Sequence, residues 1–415
     1  MNHKFRVSVL LILLPLCASA YDGTVIDSST RKPIEGALVT AGNTVVLTDP
    51  DGKFRIAAEG NAIGVRAFGH LRREVAADIS GPVELAPFAP RALYLSFYGA
   101  GSRALREAAL SLIGSTELNA LVIDVKGDRG MVSIRSSAPL AAEVGAQKLI
   151  TVKDARALVG SLHEKGIYAI ARIVVFKDDL LAVARPELAV KTVSGQVWRD
   201  RENLAWADPF NKTVWDYNID LAVDAARAGF DEIQFDYVRF PDAGGLVFSM
   251  PNNQQARVAA VSGFLAKARE RLVPYNVFLS ADVFGYVSWN TDDTGIGQKL
   301  DSMARHLDYV SPMLYPSGFQ FGIPGVANPV QQPYQIVSLT LEKARERTGL
   351  PAVRFRPWLQ AFRDYAFGGV PFGGEQIRAQ IDAADAFGSN GWMLWNPRNV
   401  YSSDGLRPKP SAFRQ

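Results

Sequence analysis

Near-continuous apolar runs occupy residues 92–98, 120–125, 168–176, 232–238, 277–283, 309–315, 353–360 and 392–396. Between many of them, at 103–113, 152–165, 213–228, 254–272 and 375–387, apolar positions recur every three or four residues. The first pattern is that of strands buried on both faces and the second that of amphipathic helices. Their alternation predicts parallel α/β structure. Eight such strands over 91–400 suit a closed (β/α)8 TIM barrel, and the Gly-x-Gly-x-x-Gly of a dinucleotide-binding open sheet does not follow the first strand. Residues 21–88 carry a different rhythm, with short alternating runs at 23–27, 45–48, 53–56 and 63–68 and a hairpin signal at Asp51-Gly52. This stretch reads as a small all-β sandwich, and 401–415 as a tail.

The first 20 residues read as a signal peptide. His3, Lys4 and Arg6 give a basic start, 7–16 an apolar stretch, and Ala18-Ser19-Ala20 a cleavage site. The apolar stretch is too short to span a bilayer comfortably. The expected location is therefore periplasmic or secreted, with no membrane insertion after cleavage. Cys17 lies inside this segment, and the bulky Leu16 before it disfavours a lipoprotein anchor. With one Cys and four His in 415 residues, thiolate or imidazole metal sites are not expected. The net charge of +3 is spread without a basic run, so no nucleic-acid partner is indicated.

Three of the apolar runs are broken by a carboxylate near their ends: Asp124, Asp236 and Asp282. An ionised carboxylate in a buried strand costs several kcal/mol unless paired or neutralised. In a parallel barrel these strand ends face one mouth, where active sites of this fold sit. Alternate residues share a face, so Gln234 and Ser280 should lie one layer beneath Asp236 and Asp282.

The segments 120–130, 171–178, 229–241, 280–285, 309–316 and 391–396 are similar to a glycoside-hydrolase barrel family catalogued as a domain of unknown function. Asp236-Tyr-Val-Arg-Phe-Pro241 is the most specific block. The resemblance implies a glycosidase-type barrel with a carbohydrate substrate and no cofactor. Gly23-x-Val-x-Asp27, Pro33-Ile-x-Gly-Ala37-x-Val39 and Thr48-Asp-x-Asp-Gly-x-Phe54 resemble a carboxypeptidase regulatory-like, transthyretin-like domain, which implies an accessory module. A weaker likeness to the chitinase clan aligns that clan's three aspartates and acid glutamate with Asp231, Gln234, Asp236 and Val238. Two of the four are kept, and the acid is lost.

Glycoside hydrolysis generally needs two carboxyl groups. Asp236 is read as nucleophile, held ionised by Arg172 or Arg239. Asp282 is read as acid/base, its pKa raised among Phe284, Tyr286 and Met313, and Asp124, paired with Lys126, competes for either role. Sugar-facing candidates are Tyr237, Tyr315, Trp206, Trp395 and Asn396, with Gln360 ending the seventh strand and Asp208 secondary to its structural role before a helix. The alternatives are a non-catalytic glycan-binding barrel, or a lyase using Lys126 as a Schiff-base amine.

Overall fold

The computed structural model describes residues 19–409, apart from 59–60 and 77–78. The expected signal peptide lies outside the described residues except for Ser19 and Ala20, which begin a strand Ser19–Asp27.

Eight parallel strands close a barrel: β1 (Arg91–Leu95), β2 (Ala120–Lys126), β3 (Tyr168–Val174), β4 (Glu232–Asp236), β5 (Phe278–Phe284), β6 (Tyr309–Met313), β7 (Trp358–Gln360) and β8 (Trp392–Trp395). Each pairs with its sequence neighbours and β8 returns to β1. All eight fall within or beside the apolar runs. The run at 353–360 yields only three strand residues, because 352–354 form a 3-10 turn and Pro357 has no N–H for the ladder. The helices Arg103–Ser115, Ala155–His163, Lys212–Arg227, Gln254–Leu272 and Gly374–Phe387 follow the amphipathic stretches. A further helix, Pro333–Thr348, packs on Gly374–Phe387. No helix among the described residues is long and apolar enough to cross a membrane.

Alternate residues along each strand separate into two cores. Leu121, Ile123, Ile173, Ile233, Phe235 and Leu279 face the helices. Val122, Ile170, Phe278, Tyr309, Trp358 and Met393 fill the barrel. One irregularity matters for the site. The β2–β3 register shifts between Arg172 and Ile173, so that Arg172 lies opposite Asp124 while Ile173 lies opposite Lys126. Val125 is the extra residue of a bulge, and the strand beyond it reverses the side its residues face.

The amino-terminal region forms a three-stranded sheet (Lys53–Ala58, Ser19–Asp27, Val83–Leu85) and a four-stranded sheet (Thr44–Leu47, Leu38–Ala41, Ala62–Arg66, Arg73–Ala76) around a core of Val25, Val39, Phe54, Ile56 and Val65. Asp49 accepts from the N–H groups of Asp51 and Lys53, which closes the hairpin turn expected at Asp51-Gly52. This unit closes the amino-terminal end of the barrel. Phe68, Leu71 and Phe88 pack into the interior cluster, with Phe88 stacked on Tyr168 at 5.6 Å. Arg72 donates to the carbonyls of Gly229 and Phe230 and meets Asp231 at 3.3 Å. Above this floor a buried Arg356–Glu232 ion pair of 2.5 Å spans the interior.

Candidate active site

At the carboxyl end of the barrel the strand-end carboxylates converge on one cation. Arg172 of β3 donates from Nη1 to Asp124 Oδ1 at 2.6 Å and from Nε and Nη2 to Asp236 Oδ2. Its Nε lies 3.8 Å from Asp282 Oδ2. The three carboxylates are 3, 6 and 1% exposed, so the arrangement exists because each strand delivers its charge to the same layer. The guanidinium also lies over the rings of Trp395 (4.9 Å) and Tyr94 (5.4 Å), which stack on each other at 3.9 Å.

Each carboxylate has further partners. Asp124 Oδ2 accepts from the Tyr94 hydroxyl at 2.7 Å and the Phe97 N–H at 3.3 Å. Asp236 Oδ1 accepts from the Tyr237 N–H at 2.6 Å, and Tyr237 takes a left-handed backbone (φ 49°), unusual for an aromatic residue. Asp282 Oδ1 accepts from the Trp358 indole N–H at 2.7 Å.

One guanidinium cannot balance three carboxylates in a dry layer. Burial, and then the adjacent Asp236, push Asp282 well above the usual carboxylate range; Arg172 and the Trp358 N–H offset only part of this. Both effects favour the protonated form of Asp282 beside Asp236. Burial also raises Asp124, against the pull of Arg172. Burial works against the Arg172 charge, but Asp124 and then Asp236 outweigh it and hold the guanidinium well above its ordinary value. The Tyr315 phenol is raised by burial and next by Asp282 and Asp236, which keeps it a hydrogen-bond donor.

Above this layer lies a cavity of about 390 Å³. Its floor is Asp124, Arg172, Asp236, Asp282 and Trp358, and its walls include Tyr94, Tyr237, Arg239, Phe284, Tyr315 and Trp395. Flat apolar faces beside polar groups are what sugar rings pack against.

The structure thus gathers Asp124, Asp236, Asp282, Arg172, Tyr237, Arg239, Tyr315 and Trp395 of the expected site, and places the others elsewhere. Lys126 does not pair with Asp124. The β2 bulge turns it outward, where it is fully buried with Asp178 (2.6 Å) and Asn218 (2.8 Å). A Schiff-base role is thereby corrected, because no substrate reaches this amine. Gln360 is spent on Ser317 and the carbonyl of Phe362, and Asn396 on the carbonyls of Ala361 and Val400. Trp206 is buried, with its N–H on Asp200, and serves as a base beneath Arg239. Asp208 accepts from Phe210 and Ser249, tying two loops, while Asn211 is the helix N-cap. Arg239 stacks on Tyr237 rather than holding Asp236, and that task falls to Arg172 alone.

Beneath the site, Gln234 donates to Ser311 and Ser280 donates to Glu232, so neither supports the aspartate above it. Phe284 and Met313 line the cavity, but Tyr286 turns to the carbonyl of Gly322. Tyr94, Tyr98 and Met131 line it as well. Tyr94 and Tyr98 fall in an apolar run, where an aromatic residue reads as core, and Met131 stands in a loop with no sequence signal.

The family model described as “Putative glycosyl hydrolase domain” matches residues 92–401. The chain belongs to this family. Its barrel is similar to the glycoside hydrolase domain of PgaB (BpsB) from Bordetella bronchiseptica, at 15% identity over 75% of this chain and 95% of that one, with a TM-score of 0.54. That likeness is one of fold. A hypothetical protein from Ruminiclostridium thermocellum is 42% identical over 46% of this chain and 97% of its own, with a TM-score of 0.42. A class V chitinase from Nicotiana tobaccum is 12% identical over 76% of this chain and 96% of its own, with a TM-score of 0.45. No curated protein matches. Val238, two residues beyond Asp236, is apolar and fully buried.

Proposed function

We propose that the protein hydrolyses a glycosidic bond in a polysaccharide or oligosaccharide, outside the cytoplasm, with Asp282 as proton donor and Asp236 as the partner carboxylate. The observation that carries this reading is that Asp282, its carboxyl pushed up by burial and by Asp236, and the Arg172-bound Asp236 share the floor of one aromatic-walled cavity. An acid and a carboxylate side by side, their roles set apart by environment, are what glycoside hydrolysis requires. A glycosidic oxygen entering between them takes the Asp282 proton, and Asp236 meets the positive charge developing at the sugar carbon as nucleophile or through a water. Tyr315 and Trp395 orient the sugar, and the export signal over residues 1–20 supplies the location.

The buried Val238 favours a second reading, a glycan-binding barrel without turnover. Release of reducing ends from a panel of polysaccharides separates the two. The hydrolase reading expects cleavage of at least one glycan that Asp236→Asn abolishes. Retention of a glycan without cleavage by the wild-type protein supports the binding reading instead.

A further inference from the structure

The cavity holds a cation that its surroundings leave unneutralised. Arg239 follows β4 by three residues and lines the cavity, half-buried. Its guanidinium stands 5.0 Å from the ring centres of both Trp206 and Tyr237, and its one hydrogen bond among the described residues goes from Nη1 to the Phe240 carbonyl at 3.1 Å. No described carboxylate lies within ion-pair distance of it. The contrast with its neighbours is informative. Arg172 is shared by the three strand-end aspartates, and Lys177, over the same Tyr237 ring at 5.2 Å, is matched by Asp200 (3.1 Å) and Glu202 (2.7 Å). Asp200 also anchors the Trp206 indole N–H at 3.0 Å, which makes the ring under Arg239 a rigid support. Aromatic faces hold a guanidinium in place without neutralising it. Most of its donor fork remains available to a ligand, in a shape that matches a planar or tetrahedral oxyanion. Arg129, exposed on the same cavity, is a second cation without an ion-pair partner among the described residues.

We propose that the cavity receives a sugar unit bearing an anionic group, a carboxylate or a sulfate ester, and that Arg239 binds that group. The inference rests on the glycan reading of the site but not on turnover. Arg239 shares the strand-four end with Asp236, so the anionic unit lies at or next to the bond under attack.

The test is calorimetric binding by the full chain, with cleavage read separately. The ligands are oligosaccharides of galacturonate, alginate, hyaluronan and carrageenan, each beside its carboxyl-reduced or desulfated neutral counterpart. At least one acidic member is expected to bind about tenfold or more tightly than its neutral form, the ratio for hydrogen bonds to a charged group. Arg239→Gln weakens acidic binding about tenfold more than neutral binding, and Arg239→Lys restores part of the difference. The arm that binds, uronate or sulfate, identifies the anion. If no acidic ligand outcompetes its neutral form, or if Arg239→Gln weakens both equally, the inference is overturned. Anion-selective binding without cleavage would uphold it while removing the hydrolase reading. Cleavage of neutral glycans indifferent to Arg239→Gln would do the reverse.

Discussion

Arg172→Met removes the only cation among the described residues that touches Asp124, Asp236 and Asp282. Methionine fills similar volume without charge, so the loss is chiefly electrostatic. Breaking a buried ion pair by deleting one partner costs about 3–5 kcal/mol, because the other charge is stranded. Here Asp124 and Asp236, 3 and 6% exposed, are stranded together. For a barrel of about 310 residues each kcal/mol moves the melting temperature by roughly 1.5 °C, so a fall of about 5–8 °C is expected near neutral pH. The pH dependence identifies the cause. Without Arg172, Asp124, already raised by burial, binds its proton more readily, and protonation removes its stranded charge. The variant's deficit therefore shrinks as pH falls toward the ordinary carboxylate range. Arg172→Met combined with Asp124→Asn and Asp236→Asn recovers most of the loss at neutral pH. Urea unfolding of wild type, single and triple variants at neutral and mildly acidic pH measures all of this. A loss under about 1 kcal/mol, typical of an exposed pair, or one unchanged by pH, would refute the reasoning.

Asp282 supplies the opposite sign. Its folded pKa lies above that of the unfolded chain, so its contribution to stability is complete at low pH and is lost as pH rises from the usual carboxylate range toward the folded value. Each pH unit in that window costs about 1.4 kcal/mol, and Asp282→Asn, which keeps an acceptor for Trp358, flattens this slope in thermal melts taken across pH. Lys126→Met strands Asp178 and destabilises by about 3–5 kcal/mol in denaturant melts, yet leaves kcat and KM unchanged where the protein stays folded. Phe68→Ala opens the base of the barrel and costs roughly 2–3 kcal/mol in the same melts. If the amino-terminal unit were a merely tethered accessory, that substitution would leave the barrel transition unmoved.

The barrel was legible in the sequence because its strands are buried on both faces and its helices on one, two rhythms that do not resemble each other. Asp124, Asp236 and Asp282 were legible because a carboxylate in such a strand is costly and needs a reason. Lys126 was not. Its spacing from Asp124 implies a shared face, and the bulge at Val125 that reverses it has no sequence signal. Arg172 was identified as a partner of Asp236, but its hold on all three aspartates depends on strand positions that only the closed barrel brings together. Gln360 and Asn396 stand at strand ends as expected, yet nearby carbonyls and Ser317 claim their amides. The amino-terminal unit reads in sequence as an accessory module, and nothing local foretold that Phe68, Leu71 and Phe88 complete the barrel interior.

The division of labour between Asp282 and Asp236 is the central claim, and leaving-group dependence tests it most directly. On the glycan that the panel identifies, both Asp282→Asn and Asp236→Asn should lower kcat/KM by about 10²-fold or more, the range of general acid–base catalysis. On an aryl glycoside of the same sugar whose phenol leaves without protonation, Asp282→Asn should recover near wild-type rates while Asp236→Asn stays inactive. Equal loss for Asp282→Asn on both substrates, or full activity of Asp236→Asn on either, would contradict the account.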